Sequence, residues 1–281
     1  MSDILSEMSD TQASPLTKDF KIDLPEDVSF IINTIEKNGH QAYAVGGCVR
    51  DTIMGVTPND WDITTNALPE EVKSYFTKTI DTGIQHGTVT VMLHSTGYEV
   101  TTYRIDGDYL DGRHPSSVEF SDRLTDDLCR RDFTINAMAY NERTGLVDEY
   151  GGIDDINNKV IRCVGRPEER FTEDALRMMR AIRFSAQLGF TIEDNTYKAI
   201  EKLSANIGKV SMERVCVELK KTLMSDNPDF CRLYGTTNLF KDILPQLHDS
   251  FTKRQSKRIL LTCKYSEKEL PLRLTACLSN G

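Results

Sequence analysis

Apolar positions recur along the first half of the chain in short bursts of two different periods. Val28, Ile31, Ile32 and Ile35 share one face at helical spacing, opened by Pro25-Glu26-Asp27 and stopped by Asn38-Gly39. Gln41-Ala42-Tyr43-Ala44-Val45 reads as a strand and Gly46-Gly47 as a turn. Val49 to Met54 then reads as a short helix, and the stretch holding Asp60 and Asp62 as a second strand. Pro69-Glu70-Glu71 starts another helix, and Ile80, His86 to Met92 and Tyr98 to Tyr103 read as further strands. From about Val164 onward the spacing is helical almost throughout, punctuated at Gly189, Gly208, Pro228, Gly235 and Pro245. The pattern therefore predicts an α+β fold, an α/β half with a small mixed sheet followed by an all-α half. Residues 1 to about 20, rich in Ser, Thr and Asp, are expected to form a disordered leader.

Composition narrows the setting. The chain has 281 residues, 39% hydrophobic and 27% charged, enough for a sizeable core and more than one domain. No apolar run reaches membrane-spanning length, and Met1-Ser2-Asp3-Ile4-Leu5 lacks a signal-peptide pattern, which points to the cytosol and away from membranes. Seven scattered cysteines, none spaced Cys-x-x-Cys, favour reduced packing residues over a disulfide framework or a zinc site. A net charge of −9 weighs against nucleic acid as a partner. Local basic clusters run the other way: Arg130-Arg131, the series Arg177, Arg180 and Arg183, and Lys253 to Arg258.

The chemistry begins at Gly46-Gly47-Cys48-Val49-Arg50 and continues at Asp60-Trp61-Asp62. On a strand the two carboxylates share a face while Trp61 turns to the other layer, so they can converge on a divalent cation, and hard oxygen ligands select Mg²⁺. The paired glycines remove side chains that would keep a phosphate from backbone N–H groups. Glu99, in Tyr98-Glu99-Val100-Thr101, is the candidate third carboxylate if its strand lies beside Asp60 and Asp62. Two cations in such a site activate an attacking hydroxyl and stabilise leaving pyrophosphate. The glycine-rich, polar stretch Arg104 to Pro115 is expected to be a mobile loop over the site.

In Asp126-Asp127-Leu128-Cys129-Arg130-Arg131-Asp132-Phe133-Thr134-Ile135-Asn136-Ala137 the guanidinium forks suit a triphosphate, and a carboxylate is available to a ribose hydroxyl. A plain charged N-terminus of an Ile/Ala/Met helix is the alternative. Thr172 is a good helix N-cap, placing Asp174, Arg177, Arg180 and Arg183 at successive i+3 positions on one helix. Asp174 and Arg177 are then either a surface ion pair or two side chains presenting hydrogen bonds to a nucleobase.

Taken in order, these three segments resemble the class II CCA-adding enzymes and their bacterial poly(A) polymerase relatives, from about residue 25 to about 225. The resemblance implies a nucleotidyltransferase head (residues 21–160), a helical neck that selects the nucleotide (161–225) and a partial helical body (226–281). It implies Mg²⁺ ligation by Asp60 and Asp62, with Glu99 completing the catalytic carboxylates. Gly47, Arg50 and Arg131 would contact the triphosphate, with ribose selection by Asp132. Asp174 and Arg177 would pair with the base edge, supported by Arg180 and Arg183. The implied reaction is template-independent addition of CMP and AMP from CTP and ATP to the 3′ end of tRNA, with no obligate protein partner evident. A poly(A), A-adding or CC-adding enzyme is the alternative product class, and an idle RNA-binding homologue a third. The family's body and tail normally run further, so a truncated body is expected. Gly46-Gly47 without a Gly-x-Gly-x-x-Gly turn argues against a dinucleotide-binding oxidoreductase.

Overall fold

Helix α1 (Glu26–Lys37) carries its buried stripe where the spacing puts it, with Val28, Ile31, Ile32 and Ile35 turned inward and acidic residues in the first turn, where they complement the helix dipole. Gly39, at φ +89°, turns the chain into β1 (Ala42–Val45). The computed structural model describes residues 20–107, 117–252 and 256–278; the expected leader up to residue 19, the centre of the Arg104–Pro115 loop and Lys253-Arg254-Gln255 lie outside the described residues.

After β1 come α2 (Gly47–Ile53), β2 (Asp62–Thr65), α3 (Pro69–Tyr75), β3 (Thr79–Gly83), β4 (Thr88–Leu93), β5 (Thr96–Thr102), β6 (Arg104–Asp106), β7 (Val118–Phe120), α4 (Leu124–Cys129), β8 (Met138–Asn141), β9 (Gly145–Asp148), α5 (Gly152–Asn157) and β10 (Val160–Ile161). Seven strands form one mixed sheet in the order β3-β4-β5-β2-β1-β8-β9. Strands β2 and β5 pair in parallel, Ile63 opposite Val100, while β1 runs antiparallel to both β2 and β8. The β4–β5 hairpin turns through His94 and Ser95, both at positive φ (47° and 68°), and the His94 ring and Tyr98 hydroxyl both reach the Asp27 carboxylate.

Two corrections arise here. Arg104–Asp106 is not loop but a strand paired with Val118–Phe120. The segment after Phe133 is not a helix: a short 3-10 turn, Thr134–Asn136, leads into β8, whose residues are all buried between β1 and β9. Helix propensity in Ala137-Met138-Ala139 yields to two flanking strands that satisfy its backbone.

Strand β1 divides the interior. Ala42 and Ala44 face the main core, whereas Tyr43 and Val45 face a smaller cluster with Tyr103, Leu128 and Ala139 under α4. Ile63 belongs to the main core and Trp61 packs against it, which leaves Asp62, opposite Val45 in register, on the α4 side.

The remaining chain is helical apart from β11: α6 (Pro167–Glu173), α7 (Leu176–Leu188), β11 (Thr191–Ile192), α8 (Asp194–Leu203), α9 (Met212–Leu223), α10 (Arg232–Thr236), α11 (Pro245–Thr252), α12 (Ser256–Tyr265) and α13 (Leu270–Leu278). β11 pairs in parallel with β10, tying the helical half to the sheet half. Gly189 ends α7 in the left-handed conformation. Gly235 does not punctuate; it lies inside α10, where a Cβ would sit 2.7 Å from Phe251 Cβ, so it is there for close helix approach. The main core runs unbroken from Ile22 to Cys277. Cys48, Cys163, Cys231 and Cys277 are buried, while Cys129 and Cys216 are exposed. No helix among the described residues is long and apolar enough to cross a membrane.

Candidate active site

The sheet brings the carboxylates together. One residue back along the β2–β5 pairing from Ile63 and Val100 lie Asp62 and Glu99, side by side on one face. Asp60 sits just ahead of β2 and not on it, which corrects the strand placement, yet it remains close enough for its charge to act on Asp62. Crowding by surrounding protein, then the charges of Asp60 and Glu99, raise the Asp62 carboxyl to about 6, although its surface is still open to solvent. Among the described residues these groups do not close into a ready-made cage of three or more ligands. An open pair of carboxylates that repel one another fits a cation whose other ligands come from a bound substrate.

Arg131 is the nearest counter-charge, lowering the Asp62 carboxyl against those effects. It stands at the C-terminal side of α4, and the fully buried Asp127 takes hydrogen bonds from both Arg130 and Arg131, whose charges hold Asp127 below the usual carboxylate range against its burial. Arg131 Nε is buried without an acceptor among the described residues. Gly46 explains the close fit: at φ 85° and ψ −129° it occupies backbone space open essentially to glycine, and a Cβ there would lie 2.9 Å from Arg131 Nη1. Gly47 begins α2, and Arg50 from that helix donates to Asp51 and to Asn136 Oδ1 at 2.5 Å.

From Asn136 the network continues into the helical half. Asn136 Nδ2 and the Phe133 N–H donate to Asp132 Oδ1, while Arg180 Nε and Nη2 donate to Oδ2, at 2.8 and 2.5 Å. Asp132 is only 8% exposed, and despite that burial Arg180 and these donors hold its carboxyl far below the ordinary range. The carboxylate expected to accept from a ribose hydroxyl is taken up here by four protein donors.

The helix expected to start at Thr172 is two helices. Thr172 lies inside α6 with its hydroxyl on the Glu168 carbonyl, and Asp174 is extended (φ −141°, ψ 104°) between α6 and α7. Its Oδ1 accepts from the Leu176 N–H at the start of α7, and Arg214 of α9 grips both carboxylate oxygens, at 3.3 and 2.8 Å. Arg177 pairs with Glu173 at 2.5 Å, not with Asp174, and donates to the carbonyls of Arg170 and Arg130. Arg183 is buried against Glu218 at 2.6 Å. Asp174 and Arg177 are thus oriented by separate partners, and Arg180 and Arg183 lie behind them.

The poly A polymerase head domain family matches residues 42–162, and the family described as the probable RNA and SrmB-binding site of polymerase A matches residues 189–251. The chain carries a poly A polymerase head domain. The CCA-adding enzyme of Leuconostoc mesenteroides is 54% identical over 198 residues, which are 70% of this chain and 49% of that protein. That of Lactiplantibacillus plantarum is 50% identical over 221 residues, 78% of this chain and 54% of its own. The chain thus spans about half the length of the curated relatives it matches. The crystal structure of the Bacillus stearothermophilus CCA-adding enzyme in complex with CTP is 36% identical, covers 90% of this chain and 62% of its own, and superposes with a TM-score of 0.76.

Against that family pattern, the residues missing from the sequence reading are Asp127, Asn136, Glu173, Arg214 and Glu218. Each touches a predicted site residue, and each is distant in sequence or indistinguishable there from an ordinary surface charge.

Proposed function

We propose that this chain carries the nucleotidyltransferase head, the nucleotide-selecting neck and part of the body of a CCA-adding enzyme, and that it transfers CMP and AMP from CTP and ATP to the 3′ end of tRNA. The observation that carries the proposal is the placement of Asp62 beside Glu99 and Asp60, next to the Gly46-Gly47 turn and Arg131. Identity of 50% or more to CCA-adding enzymes over that region supports it. We assign residues 21–160 to the head, 161–225 to the neck and 226–281 to the body, as functional divisions of one continuous core.

Asp60 and Asp62 would hold Mg²⁺ beside Glu99, in the two-metal form of this chemistry. When bound, the cation offsets the negative charge that develops on the departing pyrophosphate. The chain itself orients the reactants. The N–H of Gly47 at the start of α2 and the guanidinium groups of Arg131 and Arg50 suit a triphosphate, so that the α-phosphate is presented to the RNA 3′-hydroxyl in line. Asp174 offers acceptors and Arg177 donors to the base edge, and their rigid partners Arg214 and Glu173 fix those directions. Asp132 reaches a ribose hydroxyl only by giving up a bond to Arg180, Asn136 or its own neighbour. The transferring 3′-hydroxyl proton leaves toward the carboxylate cluster.

The test is incubation with a tRNA lacking its 3′ CCA and each labelled triphosphate in turn. Two CMP additions from CTP followed by one AMP from ATP are expected, and Asp62→Asn should abolish both. Adenylate tails alone would assign a poly(A) or A-adding enzyme. Transfer by Asp62→Asn within about tenfold of wild type, a barrier change of only about 1.4 kcal/mol, would overturn the site assignment.

A further inference from the structure

Three arginines from two halves of the molecule surround a single buried phenyl ring. Phe184, on α7, is 5% exposed. The guanidinium carbon of Arg183 lies 3.7 Å from its ring centroid, that of Arg50 5.2 Å and that of Arg180 5.4 Å. Phe133 meets the ring edge-on, at 5.7 Å and 80°. Arg50 comes from α2, directly after the glycine turn, whereas Arg180 and Arg183 come from the helix that follows Asp174.

Three like charges cannot crowd one apolar group without compensation. Each has its own acceptor: Asp51 for Arg50, Asp132 for Arg180 and Glu218 for Arg183. Those acceptors fix each guanidinium separately. Arg50 and Arg180 are also joined through Asn136 and Asp132, but Arg183 is outside that chain of hydrogen bonds, and what it shares with Arg50 is the ring. A phenyl face is negative at its centre, so it attracts the three cations and at the same time excludes water from between them. An aliphatic side chain of similar size fills the volume and supplies no such attraction.

We propose that Phe184 is a positioning residue for nucleotide selection: its ring holds the phosphate-side Arg50 in register with Arg180 and Arg183 on the base-side helix, so that triphosphate binding and base reading share one geometry. The proposal rests on the nucleotide-transfer reading given above. Phe184 is buried and acts through the arginines. The neighbouring Phe133 does not substitute for it, because it presents its ring to Phe184 and not to a cation.

The test compares Phe184→Leu and Phe184→Met with wild type in two measurements on the full chain. Urea unfolding of Arg50→Met, Phe184→Leu and the double variant, and of the matching set with Arg183→Met, should be non-additive by at least roughly threefold in the unfolding constant, since the cation–ring attraction is of that size or larger. This cycle needs no enzymatic activity, so it stands even if the transfer reading fails. In nucleotide competition the Phe184 variants should raise KM for CTP and ATP roughly tenfold and narrow their preference over UTP, with kcat changing less. Additive effects of Phe184→Leu with Arg50→Met or with Arg183→Met would overturn the proposal. So would variants that lose stability while wild-type KM and selectivity persist, because Phe184 would then be packing alone.

Discussion

Replacing Glu218 by Ala strands a charge in the core, and the size of the effect follows from its surroundings. The Arg183 and Glu218 side chains are 8% and 5% exposed and meet at 2.6 Å between α7 and α9. Burial pulls the Arg183 guanidinium below its ordinary value and Glu218 opposes that pull, so without Glu218 the desolvation stands uncompensated. Breaking a buried pair in this way costs about 3–5 kcal/mol. Arg183 keeps the Gln187 amide oxygen at 2.7 Å and the Phe184 ring at 3.7 Å, which places the expected loss at the lower end, about 3 kcal/mol. For a chain of this size that is a fall in Tm of roughly 6–12 °C. Urea unfolding should show a lower midpoint at unchanged slope. The companion variant Arg183→Met with Glu218→Leu removes both charges and should recover most of the loss, since a buried pair exchanged for apolar groups of similar volume is near neutral. If Glu218→Ala lost less than about 0.5 kcal/mol, or if the charge-free pair were worse than the single variant, the pair would not be the buried, desolvated contact described above.

Asp62, raised to about 6, binds a proton in the native protein that the unfolded chain releases at lower pH, so its contribution to stability is full below the ordinary carboxylate value and lost as pH rises through about 6. Thermal melts of the metal-free protein should reveal that loss between about pH 4 and 6, Mg²⁺ should offset it, and Asp62→Asn should erase both effects; a pH-independent difference between wild type and variant would refute the assignment. Gly46→Ala should strain the turn by about 1–3 kcal/mol and displace Arg131, giving at least tenfold slower transfer with an unchanged circular dichroism spectrum. Wild-type transfer by that variant would refute the fit. Arg214→Met should loosen Asp174 and weaken discrimination among the four triphosphates while triphosphate affinity holds, so selectivity equal to wild type in a competition assay counts against a directing role.

Local pattern carried the fold where a segment's own residues determine its state. The α1 stripe, its Pro and Gly boundaries, and the glycine turn ahead of α2 all obey short-range rules. The carboxylate cluster was legible because Asp-x-Asp and the Glu99 strand have period-2 geometry, although only the parallel pairing of β2 with β5 brings them together. The failures share one cause, partners far along the chain. Met138–Asn141 reads as helix until β1 and β9 flank it, and Asp174, whose carboxylate also takes the Leu176 N–H, is gripped between the two helices by Arg214, forty residues away. Asp132 looks like a free carboxylate in sequence, since nothing local reveals that Arg180 comes back to it. Phe184 in Ala181-Ile182-Arg183-Phe184 is indistinguishable from any other core aromatic until Arg50 is placed over it.

The β4–β5 hairpin carries the strand that sets Glu99 beside Asp62. Strand β5 pairs locally with β4 across a two-residue turn and, over a longer and costlier loop, with β2. His94 and Ser95 must both enter left-handed backbone conformations to close that turn, where Asn-Gly would do so at less cost, and the Asp27 contacts to His94 and Tyr98 form only once α1 has docked. The backbone cost of the turn is thus offset only with α1 in place, so a helix outside the site helps hold the strand that carries Glu99. An Asn-Gly turn at these two positions would close the hairpin at less backbone cost and make the Glu99 strand less dependent on that helix.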